Sequence, residues 1–151
     1  MQLTMTGEYA IRAMIHLSAL PFGTIVQISE VSKQWNIPEN FLRKISAQLA
    51  GAELITSLRG VHGGIRLSRP AESLTVLDVI EAVEGKMFLN KCMICEGLCA
   101  RDEWCQVHAL WTEAQTKLQE VLSSKSLAQL AADNLSRKTI IGETRQQASI
   151  A

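Results

Sequence analysis

Leu54-Ile55-Thr56-Ser57-Leu58-Arg59-Gly60-Val61-His62-Gly63-Gly64-Ile65-Arg66-Leu67-Ser68-Arg69-Pro70 decides the fold. Residues 54–58 are rich in strand formers, the glycine-rich run 59–64 can only turn, and residues 65–68 alternate and pair back, so the stretch is a hairpin closed by Pro70. Immediately upstream, residues 38–50 read as a helix with Phe41, Leu42, Ile45 and Leu49 inward. Pro38 suits its first turn, where a missing N–H costs nothing, and Gly51 is expected as a C-terminal cap with positive φ. The turn Asn36-Ile37-Pro38 separates this helix from a short one over residues 28–35, whose Ile28, Val31 and Trp35 share a face. Before that, residues 6–20 carry the stripe Ala10, Ala13, Met14 and Leu17, and Pro21-Phe22-Gly23 ends it. A helix–turn–helix followed by a two-stranded hairpin is a winged helix.

Downstream, Thr75 is placed to cap a helix that Gly85 stops. Residues 105–123 form a longer helix in which Val107, Trp111, Ala114, Leu118 and Val121 recur four and three apart, a heptad seam suited to a two-fold dimer. A short terminal helix over residues 126–135 precedes a polar, Gln-rich end. The expected fold is mainly α with a small β-hairpin: a winged helix-turn-helix domain plus a long dimerisation helix. Its parts are a DNA-binding domain over 1–85, a cysteine-containing loop over 86–104, dimerisation and terminal helices over 105–135, and a flexible tail over 136–151.

The chain has 151 residues, 47% of them hydrophobic, enough for a core without disulfides. Arg12 and His16 interrupt the apolar residues near the N-terminus, so no signal peptide is read there. No stretch approaches the roughly 18 apolar residues of a membrane span. A cytoplasmic protein with reduced thiols is expected. Net charge is zero, but residues 41–70 hold Arg43, Lys44, Arg59, Arg66 and Arg69 against the single acid Glu53. Such a local excess is the footprint of a polyanion partner. The helix over 38–50 turns Glu39, Asn40, Arg43, Lys44, Ala47 and Gln48 outward. Asn and Gln suit adenine and Arg suits guanine in the major groove, while Lys44 suits a phosphate. On the wing, Arg59 and His62 stand among glycines that let backbone approach DNA closely. The candidate DNA-contacting residues are therefore Asn40, Arg43, Lys44, Gln48, Arg59 and His62. His16 reads as a core-edge residue, and Trp35, Trp104 and Trp111 as packing residues. No nucleophile–base pair, phosphate loop or carboxylate dyad is present, so an enzyme is not indicated.

All four cysteines fall in fourteen residues: Cys92, Cys95, Cys99 and Cys105, with His108 three residues on. The spacing C-x2-C-x3-C-x5-C is neither the two tight pairs of a zinc site nor the repeated C-x2-C of a ferredoxin. The pattern indicates a soft metal or a redox switch. Three thiolates and one imidazole suffice for an iron–sulfur cluster.

The segments MQLTMTGEYAIRAM, IPENFLRKISAQLAGAELITSLRGVHGGIRLSRP and LTVLDVIEAVEG resemble the Rrf family of bacterial winged-helix regulators, of the IscR-like and NsrR-like kinds, over about residues 1–130. The resemblance implies a homodimer on palindromic promoter DNA, in many members controlled by an iron–sulfur cluster. Its three-cysteine pattern falls on Cys92, Cys99 and Cys105. IscR-like members add a histidine, matched by His108; NsrR-like members take a carboxylate from the other protomer, matched by Glu8 of the partner subunit. Here the first gap is six residues and Cys95 is additional, so Glu8 and Cys95 stand beside His108 as alternative fourth ligands. A 2Fe-2S centre is favoured over 4Fe-4S, because imidazole ligation of one iron is established for that type. The family's base-reading positions fall on Asn40 and Arg43, and Arg43 stands where IscR-like members often carry an acid. The expected function is a DNA-binding repressor whose operator binding follows redox state, iron, cluster status or nitric oxide. The alternatives are a cluster-free regulator switched by a disulfide, and an accessory protein that docks on a sulfur or cluster-assembly enzyme.

Overall fold

The structure, a computed structural model, describes residues 3–95, 97, 99–101 and 104–148, with side chains as far as residue 137. Among these there are six α-helices and one small antiparallel sheet: α1 (Met5–Ser18), α2 (Ile28–Trp35), α3 (Glu39–Gly51), β1 (Ile55–Leu58), β2 (Gly64–Leu67), α4 (Val76–Glu84), α5 (Gln106–Ser123) and α6 (Leu127–Ala148). Single 3-10 turns stand at Ala71–Ser73 and Lys91–Met93.

The core is built on α1. Its Ala10, Ala13, Met14 and Leu17 are buried against Val31, Leu42, Ile45, Leu49, Leu74 and Val79 from the surrounding elements. Thr4 caps α1, and both its N–H (3.0 Å) and its hydroxyl (2.7 Å) donate to Glu84 Oε1 at the end of α4. A carboxylate at a helix N-terminus is favoured by the exposed amides and the dipole there. Phe41, expected inside, is 38% exposed and meets Tyr9 edge-to-face at 5.8 Å.

The α2–α3 turn follows from local chemistry. Asn36 takes the left-handed conformation (φ 51°), which Asn tolerates better than most residues. Ile37 N–H then bonds Ser32 C=O at 3.0 Å, and the Ser32 hydroxyl donates to Ile37 C=O at 2.6 Å. Pro38 is the N-cap of α3. Gly51 departs from expectation: it is the last helical residue, and Glu53 carries the positive φ (58°) that reverses the chain.

In the hairpin, Ile55 pairs with Leu67, Thr56 with Arg66, Ser57 with Ile65 and Leu58 with Gly64. Val26 adds an antiparallel bridge to Ile65, with N–H···O bonds of 2.9 and 2.8 Å, and so ties the wing to the residues before α2. Gly64 permits this approach, since a Cβ there would collide with the Val26 carbonyl.

Thr75 and Asp78 form a reciprocal capping box at α4, and Gly85 (φ 80°) stops the helix as expected. The terminal helix is longer than the 126–135 expected. It begins with Leu127 N–H on Leu74 C=O (2.7 Å), buries Leu127 and Ala131, packs on α1, and continues through Ala148. Residues 136–148, expected as tail, are therefore helical; 149–151 lie outside the described residues.

Two Gly→Ala changes should act with opposite signs. Gly64→Ala should destabilise by about 1–3 kcal/mol through the forced collision with Val26. Gly51→Ala meets nothing within 4 Å and sits in helical backbone, so it should stabilise by about 0.5–1 kcal/mol. Urea melts of the two variants decide this; a destabilised Gly51→Ala would restore that residue as a strained cap.

Candidate nucleic-acid interface and cysteine loop

A cleft of about 410 Å3 opens between the start of α2, α3 and the wing. Gln27, Ile28 and Ser29 line one wall, Arg43 the second, and Leu58, Arg59 and Gly60 the third. Two arginines from segments far apart in sequence therefore meet at one concavity, beside a helix N-terminus whose dipole favours anions. Arg43 pairs with Glu39, one turn earlier, at 2.5 Å; both side chains are largely exposed, so the pair orients more than it stabilises. The turn uses Gly60 at φ 106°, and Val61 at its tip is 89% exposed.

The other expected DNA contacts are distributed differently. Asn40 and His62 are exposed but do not line this cleft. Lys44 and Gln48, one turn apart, line a second groove with Thr4, Thr6, Val83 and Glu84, and Gln48 Nε2 donates to Val83 C=O at 3.3 Å. Gln48 is therefore engaged by the end of α4. The cleft's wall at Gln27 to Ser29 was missed from sequence; the β-branched run Thr24-Ile25-Val26 was the available sign that extended chain, bridged at Val26, leads into it.

The cysteine segment leaves the head after Gly85 and returns at Cys105, the N-cap of α5. All four thiols are free; Cys95 is exposed, and Cys92, Cys99 and Cys105 are partly buried. Among the described residues, no three His, Cys, Asp or Glu side chains are grouped closely enough to hold a metal ion. The donor chemistry suits a soft metal or a cluster, but the donors are not preassembled. His108 N–H bonds Cys105 C=O (3.0 Å), which places both in the first turn of α5. Glu8 on α1 is partly exposed and paired with Arg12 of its own chain. Trp104, expected as a packing residue, is 67% exposed, whereas Trp35 and Trp111 are half-buried.

Along α5 the expected seam divides. Leu118, with Leu122, faces a cleft of its own chain shared with Ile80 and Phe88. Val107, Leu110 and Val121 are exposed, so the outer apolar strip includes Leu110, which the heptad reading omitted. Among the described residues no helix is long and apolar enough to cross a membrane.

Fold and cleft together define a winged-helix transcriptional regulator that binds DNA. Residues 3–133 match the Rrf2 family, described as an iron-dependent transcriptional regulator, and the chain belongs to that family. An Azotobacter vinelandii protein named as an HTH-type transcriptional regulator, ORF2, is 35% identical over 132 residues, covering 87% of this chain and 80% of its own length. CymR (YrzC), the global cysteine regulator of B. subtilis, superposes with a TM-score of 0.71 at 26% identity over 87% of this chain and 97% of its own. IscR of T. potens gives 0.70 at 25% identity, over 89% and 88%. The members so named are transcriptional regulators, and the chain is not an enzyme.

Proposed function

We propose that this protein is a homodimeric, cytoplasmic repressor of a palindromic operator, controlled by an iron–sulfur cluster bound at Cys92, Cys99, Cys105 and His108. The observation that carries the reading is a set of four free thiols on one segment that ends at the N-cap of α5, with the His108 imidazole in the first turn of that helix. The family's description as iron-dependent supports it. A cluster would supply a centre whose oxidation, loss or modification changes the conformation its ligands require. The chain supplies the rest: thiolates and imidazole as ligands, and α5 as the rod joining loop to head. A 2Fe-2S centre suits three thiolates and one imidazole best. Glu8 of the partner subunit is the weaker fourth ligand, since it would have to leave Arg12. The exposed, additional Cys95 favours a second reading, in which an external oxidant removes two electrons and two protons from a pair of thiols to form a disulfide.

In this reading Arg43 reads bases, Arg59 meets the backbone or minor groove, Asn40 contributes to the same helix face, and Lys44, Gln48 and His62 flank the interface. Two heads carried on paired α5 helices would address successive half-sites about one DNA turn apart.

Arg59→Ala should weaken binding to every duplex and reduce the salt slope by about 1, whereas Arg43→Ala should change sequence preference by about 1–3 kcal/mol. Titrations against a selected operator and scrambled duplexes at several salt concentrations measure both. Wild-type behaviour of the two variants would exclude the cleft as the interface.

Leu110→Glu places a charge in the exposed apolar strip of α5 without touching the chain's own core. It should yield monomers in light scattering and lose operator affinity, since two half-sites no longer act together. A wild-type monomer at micromolar concentration would refute the dimer.

After anaerobic reconstitution with ferrous iron and sulfide, Cys92→Ala, Cys99→Ala and Cys105→Ala should each lose the visible spectrum, and Cys95→Ala should keep it. An unchanged spectrum in His108→Ala with an altered one in Glu8→Ala would move the fourth ligand across the dimer. Full iron content in Cys99→Ala would remove the site. If no variant or wild type takes up iron, mass spectrometry after mild oxidation tests the disulfide reading.

A further inference from the structure

Gln115 is a buried polar side chain on α5, only 6% exposed, and its amide is used twice on one neighbouring segment. Oε1 accepts from Leu89 N–H at 2.9 Å, and Nε2 donates to Met87 C=O at 2.7 Å. This is the pattern a strand residue offers across a ladder, here supplied by a side chain. From Leu89 the chain turns back along the helix. Asn90 caps the turn Lys91–Met93, and the Thr112 hydroxyl lies 3.8 Å from Met93 Sδ. Gln115, Thr112, His108 and Cys105 stand at steps of three, four and three, so they form one stripe on α5. The cysteine loop thus leaves α5 at Gln115 and rejoins it at Cys105, about 15 Å away along the same stripe.

The fastened segment also touches the head. Met87 and Phe88 share a cleft of about 300 Å3 with Ile80 and Glu84 of α4, and with Leu118 and Leu122 of α5. Residues 86–88 therefore line the cleft between head and rod as a wedge, and one amide of α5 holds residues 87 and 89 in place.

We infer that Gln115 is the positioning residue that couples the cysteine loop to the DNA-binding head. By fixing residues 87–89 on α5, it makes any rearrangement beyond Asn90 displace the wedge against α4. Without it, slack in the segment absorbs the rearrangement. The inference rests on the proposed sensing role of the loop, whether by cluster or by disulfide. A residue that merely stabilised α5 would change melting but not the response of operator affinity to the loop.

The test uses the full-length protein in three states: reduced and metal-free, reconstituted with ferrous iron and sulfide, and oxidised with diamide. Operator affinity is measured in each for wild type, Gln115→Met and Gln115→Glu. Gln115→Met keeps the bulk and removes both hydrogen bonds; Gln115→Glu keeps the acceptor for Leu89 and loses the donor to Met87. In Gln115→Met the reduced form should bind as wild type does, but the ratio of affinities between states should fall towards one. Gln115→Glu should give an intermediate ratio. Independently of any cluster, the Leu89 amide of the reduced, metal-free protein should exchange with deuterium about fivefold faster in Gln115→Met. An undiminished ratio in Gln115→Met, or a Leu89 amide equally protected in it, overturns the inference. If wild-type affinity ignores all three states, the sensing reading fails and the coupling fails with it; the exchange measurement then still reports whether the amide clamp exists. If Gln115→Met does not fold, a full wild-type ratio in Gln115→Glu serves as the overturning result.

Discussion

The head depends on how closely other helices can approach α1. Its inner face is made largely of small residues, Gly7, Ala10 and Ala13, followed by Met14 and Leu17. A Cβ at Gly7 would collide with the Glu84 carboxylate, so this glycine admits the Thr4–Glu84 bonds that seat α4 on α1. α6 packs on α1 as well, with Leu127 wholly buried. Interiors at crystal-like density transmit displacement rather than absorb it. A push on α4 is therefore carried through α1 into α3, which shares the same core.

α5 is organised as three adjoining strips. Val107, Leu110 and Val121 lie exposed on one; Leu118 and Leu122 turn towards a cleft of the chain itself on the second; Gln115, Thr112, His108 and Cys105 form the third. At 3.6 residues per turn the strips are contiguous around the cylinder. Their order matters, because the strip beside the cysteine loop shares a helix with the strip left open to a partner. Rotation of α5 by a fraction of a turn would alter loop, head contact and outer surface together.

The winged helix was legible because its signals are local and agree with one another: glycines where the wing must turn, Asn36 where the helices must reverse, Thr75 and Gly85 at the ends of α4. What escaped sequence reading depended on distant partners. Gly51 has the composition of a cap, yet Glu53 takes the left-handed conformation because Leu54 must return to Leu49 C=O. α6 has no strong apolar periodicity beyond its first turns, so its length to Ala148 is not written as a stripe. Gln48 looks like an adenine reader on a helical wheel, but the nearby end of α4 claims its amide. Leu118 fits a heptad as well as Leu110 does; only the position of α4 separates an inward leucine from an outward one. Gln115 carries no motif at all, since a glutamine that bonds two backbone groups 26 and 28 residues away is indistinguishable in sequence from a solvated one.

Fastening residues 87–89 and 105 to a single helix has a kinetic consequence. The four thiols are confined to one short closed segment, so each meets the others at an effective concentration of roughly millimolar or higher, whatever the amount of protein in the cell. Encounters among them are unimolecular. A chain present at only a few copies would thus gather its thiols as quickly as an abundant one, and the speed of any response would be set by arrival of the signal rather than by protein abundance.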